Sequence, residues 1–207
     1  DEIKLYKGKS YEEVFPDYSI DLSLRFRQAE NKLEEIQQQS IFLIDDWCSR
    51  YDDKIKAKGD IGFLVTTLGS DGRVAFNIKG TSIHSNTALR QTNFATQADA
   101  ASSLGGIEVA KNRLVITIGL ETITRNPNAV AIVMAAGESN AHIIKNALES
   151  EMTTQYPATV LQRLENSRFY LTKGAASLLT DSINHYYFKE EWNFQKTERA
   201  ILELCKK

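Results

Sequence analysis

The stretch Ile61-Gly62-Phe63-Leu64-Val65-Thr66-Thr67-Leu68-Gly69-Ser70-Asp71-Gly72 decides the fold. Its first part is rich in β-branched and aromatic residues and is apolar on consecutive positions, the pattern of a strand covered on both faces. Gly69 and Gly72 end the strand in a sharp turn and let the backbone approach a ligand closely. Between them stands Asp71. On its own residues this carboxylate reads two ways: as a group that accepts a proton or orients a ligand hydroxyl, or as an ordinary turn residue bonding its own backbone.

Working outward, Arg113 to Ile118, Val130 to Ala135 and Arg168 to Thr172 are further strand candidates. Helical patterns separate them. Asp45 or Asp46 is placed to cap a helix that turns Trp47, Tyr51 and Ile55 inward, and Ser139 one that carries Ile143, Ile144 and Leu148. Helices also fit Ala158 to Leu164, Ala175 to Phe188 and Thr197 to Cys205. Ahead of all of these, Leu22, Phe26, Ala29, Leu33 and Ile36 mark an amphipathic helix, too short for a coiled coil and expected to dock on this chain's own body. Consecutively apolar strands spaced by helices predict an α/β domain with a mostly parallel, doubly wound sheet and helices on both faces. Ligands bind such sheets beyond the carboxyl ends of the strands, here the loops after Leu68, Ile118 and Ala136. The expected division is an extension with the amphipathic helix over 1–40, the α/β domain over 41–190 and a C-terminal helix over 191–207.

Composition narrows the function. The 207 residues are 42% apolar, enough for one buried core, and three prolines provide no Pro-rich linker. Lys and Arg total 25 against 27 Asp and Glu, so a net charge of -2 disfavours nucleic-acid partners. No apolar run approaches the ~20 residues that span a bilayer, and no signal segment opens the sequence; no membrane partner and a cytoplasmic location are expected. Cys48 and Cys205 fall in separate helical patterns and read as idle thiols, not a disulfide. No metal and no cofactor is expected.

The run from Gly62 through Asn77, containing Asp71-Gly72-Arg73-Val74-Ala75-Phe76-Asn77, followed by Gly80-Thr81-Ser82, resembles the glucosamine-6-phosphate isomerase/deaminase family, whose characteristic stretch reads G-x-G-x-D-G-H-I-A-F-N-E-P. Leu114 to Leu120 looks like that family's T-V-G-V-G strand and turn, Val130 to Asn140 like its next strand and helix start, and Pro157 to Gln162 like a later helix. The likeness covers roughly Asp45 to Phe188. The related 6-phosphogluconolactonases share the D-G-H turn but follow it with a different segment, which Ala75-Phe76-Asn77 does not match.

The resemblance implies ring opening of an amino-sugar phosphate, proton transfer between C2 and C1, and loss of ammonia, with Asp71 at a catalytic position and Gly69, Ser70, Gly72 and Arg73 around the substrate. It also exposes departures. Arg73 stands where the family has the His of ring opening, and Ile78 where it has the Glu that supports that His. A guanidinium stays protonated near neutrality and Ile78 has no acceptor, so neither substitutes. His84, eleven positions beyond Arg73, is the candidate replacement, against a bland loop histidine. Asn140 stands where the family grips phosphate with a Lys, next to the anionic Glu138, and no basic residue lies between Asn93 and Gly106. Helix N-terminal amides, Arg73 or Arg90 remain as sources of anion binding.

The family's proton-abstracting Asp opens an Asp-Glu pair whose spacing to the D-G turn matches that from Asp1-Glu2 to Asp71. Asp1 is therefore the second catalytic candidate, and the sheet is expected to lack its N-terminal strands. An oligomer or an additional segment would then complete it. The expected function is a sugar-phosphate-recognising domain of carbohydrate metabolism with ordinary deaminase activity in doubt; the alternative is a non-catalytic interaction module with a vestigial pocket. Whether it is an enzyme stays open.

Overall fold

A computed structural model of the chain describes residues 3–17, 19–111 and 114–205. Asp1 lies outside the described residues. The front segment holds a 3-10 turn at Tyr6–Gly8, a short helix α1 (Tyr11–Val14) and a second 3-10 turn at Leu22–Arg25. Ser10 and Glu13 close a capping box on α1. The long helix α2 (Lys32–Ala57) follows.

This front corrects two expectations. The predicted helix from Leu22 to Ile36 and the one capped at Asp45 or Asp46 are replaced by the turn at Leu22–Arg25 and a single α2. Asn31 starts that helix, its side chain accepting the Glu34 N–H, while Arg27 reaches back to Asp21 and forward to Glu34. Asp45 sits mid-helix and receives a two-pronged hydrogen bond from Arg25 at 2.6 and 2.8 Å. The buried face of α2 also differs: Ile41, Ile44 and Cys48 point inward onto Val14, Phe15, Ile20, Leu24 and Leu89, and Tyr51 is exposed. The front residues thus dock on this chain's own body. Burial pushes the Cys48 thiol up to about 11, and Cys205 is exposed.

The remaining elements are β1 (Phe63–Thr67), β2 (Ala88–Gln91), α3 (Phe94–Leu104), α4 (Ile107–Lys111), β3 (Leu114–Thr117), α5 (Leu120–Thr124), β4 (Val130–Ala135), α6 (Ala141–Glu149), a 3-10 segment at Pro157–Arg163, β5 (Asn166–Leu171), α7 (Thr180–Phe188) and α8 (Phe194–Cys205). Three details move. Ser139 lies within a 3-10 turn, Glu138–Asn140, and does not cap α6; Ala158 to Leu164 is 3-10 instead of α-helical; and α7 starts only after a run of turns that begins near Gly174.

The chain is a mixed α/β fold with a parallel sheet flanked by helices. β4 lies in the middle, parallel to β1 on one side and to β5 on the other. The strand near Arg113 to Ile118 is not in this sheet: β3 pairs antiparallel with β2 in a separate ribbon. An apolar run announces a strand but does not name its partner, and β2, with Arg90 and Gln91, carried no clear signal.

In register, Leu64, Ala131, Val133 and Phe169 share one face of the sheet and pack on Leu120, Ile123, Ala147, Val160, Leu161 and Leu164. Phe63, Val65, Met134 and Tyr170 point the other way, and their exposures of 63, 52, 45 and 62% leave that face open among the described residues. β1 is also an edge strand. No described helix is long and apolar enough to cross a membrane.

Candidate functional site

β1 delivers its carboxyl end to the turn at Gly69–Arg73. Gly72 donates to the Gly69 carbonyl at 2.9 Å and Gly69 to the Arg73 carbonyl at 3.2 Å, closing a tight loop. Gly72 adopts φ 77 with Tyr156 packed against it, so a side chain there is disfavoured by both backbone and space. Ala158 N–H donates to the Gly72 carbonyl at 2.9 Å, fixing the loop to the Pro157–Arg163 segment. Just beyond, buried Asn77 donates to the carbonyls of Val74 and Ile118, joining the turn to the end of β3.

Asp71 faces α3. Its Oδ2 accepts from Asn93 Nδ2 at 2.7 Å, and its Oδ1 accepts from Arg73 Nη1 at 2.9 Å and the Arg73 backbone N–H at 3.3 Å. Arg73 extends its other nitrogen, Nη2, to Asp99 Oδ2 at 3.0 Å, and Ser70 Oγ donates to the same oxygen at 3.2 Å. One guanidinium thus bridges the turn and α3 through two carboxylates. It lies over Gly69, where a Cβ would overlap it. Burial raises the Asp71 carboxyl, but the hydrogen bonds from Asn93 and Arg73 and the Arg73 charge outweigh it and hold the group below its ordinary 3.8.

The other sequence candidates fall elsewhere. His84 is exposed, its Nδ1 3.4 Å from Glu121, which also pairs with Arg163 at 3.0 Å. Asn140 donates to the Ala136 carbonyl at 2.7 Å, bracing the turn after β4, and Gly137 donates to Thr172 Oγ1 at 3.1 Å. An open groove of about 490 Å³, lined by Thr67, Met134, Ala136, Tyr170 and Thr172 among others, runs along the same carboxyl edge of the sheet. Phe76 is exposed and Ile78 half-buried. Sequence reasoning missed Asn93 and Asp99. Asn93 was detectable as a helix cap, its side chain accepting the Thr96 N–H at 2.8 Å, but nothing local marked Asp99 as a partner of residues so distant in the chain. Among the described residues no group of three or more His, Cys, Asp or Glu is arranged to hold a metal.

The arrangement is one of fixed charges and donors, with no imidazole at the Asp71 carboxylate. It suits recognition of oxyanions and hydroxyls more than proton shuttling.

No family model matches the chain. The chain is 31% identical to a glucosamine-6-phosphate deaminase of Beutenbergia cavernae over 132 residues, covering 64% of this chain and 50% of the relative. It is 30% identical to a glucosamine-6-phosphate deaminase of Shewanella halifaxensis over 179 residues, 85% of this chain and 62% of the relative. A putative glucosamine-6-phosphate deaminase-like protein of Bacteroides thetaiotaomicron is 28% identical over 83% of this chain but only 27% of its own length. Among solved structures, a monomeric glucosamine-6-phosphate deaminase superposes with a TM-score of 0.58 at 24% identity, covering 73% of this chain and 56% of that one.

The fold is therefore the one seen in that solved structure, a mixed α/β domain built on a parallel sheet. At the level of sequence the chain is similar to glucosamine-6-phosphate deaminases along much of its length. It spans about half the length of the first of these relatives and 62% of the second.

Proposed function

We propose that this domain recognises a sugar phosphate at the carboxyl edge of its sheet and does not carry out ordinary deamination of glucosamine 6-phosphate. The observation that carries this reading is Arg73, at the family's ring-opening position and ion-paired to both Asp71 and Asp99. Ring opening needs a group that gives and takes a proton near neutrality; a guanidinium does neither. Asp71 receives three hydrogen bonds as a carboxylate. Of its roughly four lone-pair positions, about one remains to orient a substrate hydroxyl. Gly69, Ser70 and Gly72 would line the ligand with backbone, and Asn140 would shape the turn after β4. His84 would approach only after leaving Glu121, and Asp1 would supply a base if it reaches this edge.

The test is calorimetric titration with glucosamine 6-phosphate, together with ammonia release from the same sample. The reading predicts saturable binding with ammonia release below about 1 per second, under the usual enzyme range. Turnover at or above that rate overturns the inactive-site half; absence of binding overturns recognition. A second reading, an interaction module with a vestigial pocket, draws support from the open apolar face of the sheet. It predicts no binding of any sugar phosphate.

A further inference from the structure

Arg73 Nη2 and Ser70 Oγ converge on a single oxygen of Asp99, at 3.0 and 3.2 Å. A guanidinium edge and a hydroxyl aimed at one carboxylate oxygen are the donor set that binds a phosphate or carboxylate ligand. Here the carboxylate comes from the chain itself, on α3. We propose that Arg73 and Ser70 form an oxyanion-binding site that Asp99 occupies as a tethered internal ligand, and that a phosphate monoester exchanges with Asp99 and releases α3 from the turn. This rests on the sugar-phosphate reading above.

Three features favour exchange over a purely structural tie. Asp99 is partly exposed, its side chain 42% accessible, so its carboxylate regains water when it leaves, whereas Arg73 is largely buried and stays in place. Arg73 is held from behind by Asp71 on Nη1, so the donor set survives without Asp99. α3 is also tied to the turn at its start through Asn93, which bonds Asp71, so the helix keeps an anchor when Asp99 leaves. Because Asp71 keeps one edge of Arg73, the open edge suits a single phosphate or carboxylate group and not a polyphosphate. The tethered carboxylate acts as a competitor at its own effective concentration, weakening the ligand by the corresponding factor.

The experiment compares the unmodified chain with Asp99→Asn, which keeps the side-chain shape but removes the competing charge. Dissociation constants are measured for inorganic phosphate and, separately, for glucosamine 6-phosphate, and amide hydrogen exchange is followed over residues 94–104 of the unmodified chain with and without phosphate. The proposal predicts binding tightened about five-fold or more in Asp99→Asn for both ligands, and faster exchange in α3 when phosphate binds. Equal affinities in the two proteins, or α3 protection unchanged by phosphate, overturns the exchange while the sugar-phosphate reading stands. If neither protein binds either ligand, the exchange and the reading fail together. The exchange measurement needs no substitution, so it decides even if Asp99→Asn unfolds.

Discussion

At the scale of single residues, the Arg73 side chain occupies the space above Gly69. Gly69→Ala places a methyl group in that space and should expel the guanidinium from both carboxylates, costing about 0.5–2 kcal/mol in urea unfolding. In an Arg73→Ala background the same substitution should cost much less; equal costs would show that Arg73 is not what fills the space. Asp71 provides a pH test. Its folded carboxyl titrates below the ordinary 3.8, so its ionised form stabilises the fold. That contribution is present above the unfolded value and is lost as the pH falls through the lower folded one. The drop in urea midpoint between pH 7 and pH 3 should therefore be larger for the unmodified chain than for Asp71→Asn, and equal drops would remove the ion-pair network from the account.

At the scale of elements, the buried Asp52 carboxylate ties α2 to the segment before β2 and to α5. Asp52 accepts from Thr87 Oγ1 at 2.6 Å, the Thr87 N–H at 3.3 Å and Thr122 Oγ1 at 3.0 Å, with Arg125 3.5 Å away. Asp52→Ala leaves those buried donors unpaired and should destabilise by about 3 kcal/mol, whereas an exposed change such as Asp53→Ala should stay within ~0.5 kcal/mol. A cost for Asp52→Ala no larger than that of Asp53→Ala would contradict the buried network. The same elements show what a sequence reveals. β1 and β4 were legible as compact apolar runs bounded by turn residues, β5 through its Phe169-Tyr170-Leu171 stretch, and the Gly69–Gly72 turn because glycines flank a carboxylate at a strand end. The helix boundary near Asn31 was not, since apolar spacing continues from Leu22 to Ile36 while the cap and the Arg25–Asp45 pair, contacts made only in the folded chain, set the break. The Arg73–Asp99 bridge was hidden for the same reason: it joins two segments through side-chain geometry that no local pattern encodes.

At the scale of the whole molecule, the open face of the sheet is an apolar surface to account for. Phe63, Val65, Met134 and Tyr170 stand together on it, beside an edge of β1 that is unpaired among the described residues. An apolar face and a free edge together favour association. Sedimentation at rising concentration should show self-association of the isolated 207-residue chain, and Phe63→Glu should reduce it without lowering the urea midpoint, because Phe63 is already exposed. Association unaffected by Phe63→Glu would place the contact elsewhere. The central claim, that a sugar phosphate is recognised at the carboxyl edge, is tested most directly by amide NMR chemical-shift mapping with glucosamine 6-phosphate. The account predicts that the perturbed amides cluster at Gly69–Arg73, at 136–140 and in α3. Shifts confined to the groove between α7 and α8, around His185, Tyr186 and Arg199, or no saturable shifts at all, would contradict it.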